Sequence, residues 1–118
     1  MFSYVVRCDF REALAKVGFL GWLRERHVAD VCAAGAENAE LVELDPSPEW
    51  PHAIEIRYRF SSRDAFERYE REHAPRLRAE GLAEAARLGL EPGQGIVMTR
   101  TTGEVLVWNR AGSTRVSA

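Results

Sequence analysis

Lysine, cysteine and long apolar runs are what this sequence lacks. Lys16 is the only lysine among 16 basic residues, set against 18 acidic ones for a formal charge of −2. A balance that close to neutral excludes broad electrostatic attraction to nucleic acid or a membrane surface. The near-exclusive use of arginine reads as the mark of a GC-rich genome. Cys8 and Cys32 are the only cysteines and fit no metal or redox spacing, so a reduced, cytoplasmic protein is expected. No apolar run approaches the ~20 residues of a membrane span, and Arg7 and Asp9 interrupt the N-terminal one, so no secretory leader is expected. A Gly-rich phosphate loop, a Gly-x-Ser-x-Gly elbow, a His-x-x-x-His pair and a Cys-x-x-Cys pair are all missing. Zinc needs three or four ligands, so neither a metal nor a cofactor is expected.

What is present centres on residues 60–82. Ser61 and Asp64 form a capping pair that opens a helix. Phe66, Tyr69, His73 and Leu77 follow at spacings of three and four and share one face. Charged residues fill the other faces. Pro75 lacks an N–H and disfavours helical geometry at Ala74, so the helix is predicted to kink or stop near His73. The pattern occurs twice: Leu20, Leu23, His27 and Val31 each lie 46 positions before their counterparts, and Gly35 matches Gly81. Two copies are too few for a solenoid but suit a pseudo-symmetric domain in which each supplies a helix.

Alternation predicts a strand over residues 2–8, with Phe2, Tyr4, Val6 and Cys8 on the apolar face. Asp9 and Glu12 read as a second capping pair, and Gly35 as the end of the first helical unit. Residues 37–44 are a weaker strand, and the proline-rich stretch 45–51 is a loop. Residues 53–60 alternate most cleanly, with Ile54, Ile56, Tyr58 and Phe60 facing one way and Glu55, Arg57 and Arg59 the other. The second helix ends near Gly89. Residues 96–108 form a last strand or a hairpin broken at Thr102-Gly103. The length suits one domain, assigned to residues 1–108, with residues 109–118 as a flexible tail. Strand, helix, strand, strand, helix, strand with right-handed crossovers gives an α+β fold, the ferredoxin-like βαββαβ arrangement: a four-stranded antiparallel sheet with two helices on one face.

Trp22-Leu23-Arg24-Glu25-Arg26-His27-Val28 and the run from Tyr69-Glu70-Arg71-Glu72-His73-Ala74-Pro75 to Leu82 resemble the two signature segments of the domain-of-unknown-function 4286 family, whose members are short, mostly bacterial proteins. The resemblance covers residues 3–106. That family is similar to the dimeric α+β barrel superfamily, which includes antibiotic-biosynthesis-monooxygenase-like enzymes. The resemblance implies two sheets packed face to face in a homodimer and a small ligand between helices and sheet, but no reaction. The chain departs from the family at Ala29, where a proline often stands, which implies a softer kink after the first histidine.

The candidate site residues are His73, His27, Tyr69, Tyr58 and Trp22, with Tyr4 beside them. The two histidines could serve as ligand contacts, acids or bases. The plainer reading, helix-end histidines supporting a kink, is preferred, because pseudo-symmetry would repeat a structural histidine and the macrodipole favours one near a helix C-terminus. The aromatic residues could line a pocket, although core packing is the commoner role. His73 beside Tyr69 or Tyr58 is the combination that best suits a pocket. Arg76 and Arg78 with Glu72 and Glu80 could bind an anion, but surface pairs of the Glu72–Arg76 kind are the preferred reading. Cys32 reads as packing, since helix positions five apart from His27 do not share a face. The charged strand face, with Arg7, Glu55, Arg57 and Arg59, excludes base stacking on an open sheet and suits burial against a second copy. The preferred function is binding of a small organic molecule. The alternatives are a cofactor-independent monooxygenase-like enzyme and an assembly module without a ligand.

Overall fold

The computed structural model describes residues 1–109; the expected tail, apart from Asn109, lies outside them. The elements run β1 (Phe2–Phe10), α1 (Ala13–Trp22), a π-helical turn (Leu23–His27), α2 (Val28–Ala33), β2 (Asn38–Glu43), β3 (His52–Phe60), α3 (Arg63–Glu72), α4 (Ala74–Arg87) and β4 (Ile96–Glu104). The strands make one antiparallel sheet in the order β2-β3-β1-β4. Helices pack on one face of it, giving the α+β, ferredoxin-like arrangement.

The register explains the core. Tyr4 stands opposite Tyr58, Val6 opposite Ile56 and Cys8 opposite Ile54, so the period-two alternation of both central strands delivers one continuous apolar face. Phe2, Phe60, Phe66, Tyr69 and Tyr4 form an aromatic cluster with centroids from 4.9 to 6.5 Å apart. A second run links Phe10, Phe19, Trp22 and His27.

The helices differ from expectation in their details. Asp9 does not cap α1. It lies in β1, 5% exposed, where its carboxylate accepts hydrogen bonds from Arg7 Nε and Nη2 at 3.0–3.1 Å. Residues two apart in a strand share a face, so this pairing is available to Asp9 and capping is not. Glu12 occupies the N-cap without a side-chain bond. The cap of α3 is Ser62, one residue later than expected; its Oγ accepts from the Ala65 N–H at 3.1 Å. The expected Glu72–Arg76 pair is replaced by Arg76–Glu80 at 3.7 Å. The break at Pro75 is present: His73 has φ −127°, ψ −35°, ending α3 and leading into α4 with Pro75 in its first turn. Gly35, at φ +138°, turns the chain out of α2 into β2. β4 runs unbroken through Thr102 and Gly103, paired with β1 as far as Glu104 opposite Phe2, so there is no hairpin there.

Candidate ligand cavity between sheet and helices

A cavity of about 440 Å³ lies between the sheet and the helical layer, within the range of small-molecule sites. Tyr4, Val6 and Cys8 of β1, Ile56 and Tyr58 of β3, and Ile96, Met98 and Arg100 of β4 supply its sheet side. Strand alternation selects them: Val6 stands opposite Arg100 and Cys8 opposite Met98. Phe19 and Trp22 of α1, Val31 of α2, Tyr69 of α3, and Leu77, Arg78, Gly81 and Leu82 of α4 line the helical side, and Pro92 and Gly93 border it from the turn before β4. A side chain at Gly81 would meet the Trp22 ring at 3.8 Å.

The π-helical turn delivers His27 to this cavity. Val28 N–H donates to the Leu23 carbonyl, five residues back rather than four. In an α-helix, residues five apart point about 140° from one another. The wider turn brings Trp22 and His27 onto one side, where their rings stack at 4.5 Å with 22° between planes. Such π-bulges occur frequently at functional sites. His27 Nδ1 is buried without a hydrogen-bond partner among the described residues. Burial lowers the imidazole pKa, opposed in part by Asp30 and Glu80, which favours the neutral ring.

Two further buried polar atoms on lining residues lack a partner among the described residues, the Tyr58 hydroxyl and Arg78 Nε. Most buried polar groups are paired, so three orphans around one cavity form a concentrated exception. Burial pushes the phenols of Tyr58 and Tyr69 above the ordinary tyrosine range. Arg78 donates to Glu70 at 2.6 Å and to the Tyr4 hydroxyl at 3.4 Å, and Arg100 Nε donates to the same hydroxyl at 3.1 Å. Burial works against the Arg78 charge, but its bonds to Glu70 and Tyr4 outweigh this and keep its pKa above the ordinary value. The Cys8 thiol is pushed up to about 12, chiefly by burial, and is inert as a nucleophile near neutral pH.

Of the sequence-derived candidates, His27, Trp22, Tyr58 and Tyr69 line the cavity together, as does Tyr4. His73 does not. It borders a separate surface depression with Arg26, Asp30, Ala33, Ala34, Arg76 and Glu80. The pairing of His73 with a tyrosine in one pocket is therefore absent, because the break at Pro75 ends α3 at that residue. Among the described residues its imidazole makes no hydrogen bond to the freed backbone. Sequence reasoning missed Arg100, and it preferred a surface pair for Arg78, which lines the cavity. Arg78 lies four residues after Ala74 and three before Gly81, on the stripe that restarts after the break. Arg100 continues the alternation of Ile96 and Met98.

The sequence matches the family described as Domain of unknown function (DUF4286) over residues 1–87, ending short of the β4 strand that the sequence resemblance had included. No curated protein matches it. Among solved structures, the fold is similar to a dimeric ferredoxin-like protein from an uncultured marine organism, at TM-score 0.71 and 11% identity over 92% of this chain and 97% of that one. It is similar to SnoaB, a cofactor-independent oxygenase from Streptomyces nogalater, at TM-score 0.58 and 15% identity over 91% and 94%. An antibiotic-biosynthesis-monooxygenase-like protein from Deinococcus radiodurans aligns at TM-score 0.57 and 13% identity over 93% and 97%. These identities carry the fold alone. The match over most of its length places the chain in the DUF4286 family.

Proposed function

We propose that the protein is a homodimer that binds a small, largely apolar organic molecule in the cavity between sheet and helices. The observation that carries the reading is the coincidence of an apolar, aromatic-lined space with three unpartnered buried polar atoms, His27 Nδ1, Tyr58 Oη and Arg78 Nε. A packing defect would leave apolar walls only; these groups await hydrogen bonds that a bound molecule supplies. Dimerisation through the outer sheet face is supported by its charges. Arg7 pairs with Asp9, and Arg57 with Glu55 and Glu40, within the same chain. Arg59 is the charge of that face without an ion pair among the described residues; the others can be covered by a second copy without being left unpaired.

Calorimetric titration with a set of bicyclic aromatics, neutral and anionic, tests the ligand reading. Saturable binding is expected for at least one, and Met98→Trp, which fills the cavity from β4, abolishes it. If no member binds saturably, the cavity is not a ligand site for this class. A second reading, a cofactor-independent monooxygenase-like enzyme, is supported by the neutral His27 stacked on Trp22 inside the cavity. It requires oxygen uptake that depends on a phenolic substrate and is lost in His27→Ala.

A further inference from the structure

The charges around the cavity are of one sign. Arg78 and Arg100 line it, and among the described residues no aspartate or glutamate does. Glu70 takes up one guanidinium charge through its 2.6 Å contact with Arg78, while among the described residues Arg100 has no carboxylate within ion-pair distance. The corner therefore carries one uncompensated positive charge. Both arginines donate to the Tyr4 hydroxyl. A phenol has two acceptor lone pairs and one proton. With both lone pairs engaged, the Tyr4 proton remains to be donated, and it has no acceptor among the described residues. Arg78 Nε–H is a second unused donor on the same corner.

We propose that the cavity takes a monoanionic organic acid, with its carboxylate at the corner formed by Arg78, Tyr4 and Arg100 and its apolar, aromatic-sized body inside. This deepens the ligand reading above and rests on it. A carboxylate accepts from a guanidinium and a phenol at once, and such charge-assisted bonds are the strong ones. One negative charge balances the corner; the second charge of a dianion such as a phosphate monoester would find no further free cation among the described lining residues. Arg100 is an exposed residue on an edge strand, so the acid lies at the mouth. Val6, Phe19, Leu77, Ile96 and Met98 surround the body.

The test compares 2-naphthoate with the isosteric, neutral 2-naphthamide by calorimetry on the full chain. Naphthoate is expected to bind about tenfold tighter or more, the scale of a hydrogen bond to a charged group. The preference should shrink with added salt and fall at least about fivefold in Arg100→Gln. If the amide binds as well as the acid, the anion assignment is wrong while the ligand site stands. If neither binds, the ligand site itself fails. Naphthyl phosphate binding tighter than naphthoate overturns the single-charge argument. A preference unchanged in both Arg100→Gln and Arg78→Gln places the acid elsewhere and overturns the proposal. Should a variant fail to fold, the acid-to-amide ratio of the unmutated protein and its salt dependence still decide.

Discussion

Trp22 and His27 stand five residues apart and stack ring on ring at 4.5 Å, which the helix permits only because it widens to a π turn between them. The counterpart histidine 46 positions later meets a different fate. Pro75 follows it, the helix breaks, and His73 ends outside the cavity. Ala29 keeps its N–H, so the first unit absorbs the same irregularity without breaking. One proline separates a histidine that lines the cavity from one that borders a different depression.

The burial of His27 has a consequence for stability. Its folded pKa lies below the ordinary 6.5, so the unfolded chain takes up a proton first as the pH falls. The contribution of the neutral ring is complete above 6.5 and is lost as the pH drops from there through the folded pKa. Urea midpoints measured at about pH 7.5 and about pH 5.5 should therefore differ more in the native protein than in His27→Gln. Equal pH dependence in the two proteins would show that His27 titrates alike in the folded and unfolded states.

Tyr58→Phe should raise stability. The ring is 2% exposed and its hydroxyl has no partner among the described residues, so the folded chain bears a desolvation cost that phenylalanine lacks. The expected gain is about 1 kcal/mol, read as a higher melting temperature. Tyr4→Phe is the contrast: its hydroxyl accepts from two arginines, so its loss should destabilise. A destabilised Tyr58→Phe would mean that its hydroxyl is already paired.

The strands were legible because their signal is local. Alternation in residues 53–60 and 2–8 assigns each side chain to a face, and the observed register agrees with it. The break before Pro75 was equally readable, since a missing N–H acts on the helix that contains it. The π turn was not. Its sequence, Leu23-Arg24-Glu25-Arg26-His27, carries ordinary helix formers, and only packing against the sheet decides where the extra residue goes. Arg78 was misread for a related reason: beside Arg76 it looks like a surface charge, and its contact with Tyr4 spans 74 residues. Asp9 followed the same logic in reverse. A capping signal was present, and the Arg7 guanidinium on its own strand took the carboxylate first.

Gly21→Ala should stabilise the fold. Gly21 lies inside α1, and a methyl group there would meet nothing within 4 Å. Alanine restricts the unfolded chain and favours the helix by about 0.5–1 kcal/mol, which corresponds to a rise of a few degrees in melting temperature for a domain of about this size. Gly18 offers a control, because a methyl there would approach Leu88 Cδ2 at 3.1 Å, so Gly18→Ala should gain less. Equal gains at both sites would show that Leu88 yields freely.

Val5→Lys should produce monomers. Val5 is half-buried at the centre of the outer sheet face, opposite Arg57 on β3 and Thr101 on β4. The neighbouring charges are already engaged, Arg57 by Glu55 at 2.8 Å and by Glu40 at 3.2 Å. A lysine at position 5 would therefore find no free carboxylate from these residues. Covered by a second copy it would be a buried unpaired charge, whose cost of several kcal/mol exceeds what one apolar contact returns. Exposed on a monomer it costs little, since the side chain can extend into water. Light scattering at micromolar concentration should give a dimer mass for the native chain and a monomer mass for the variant, with the melting temperature of the variant measured alongside to verify folding. A native chain that scatters as a monomer removes the dimer. A variant that remains dimeric moves the interface off this face.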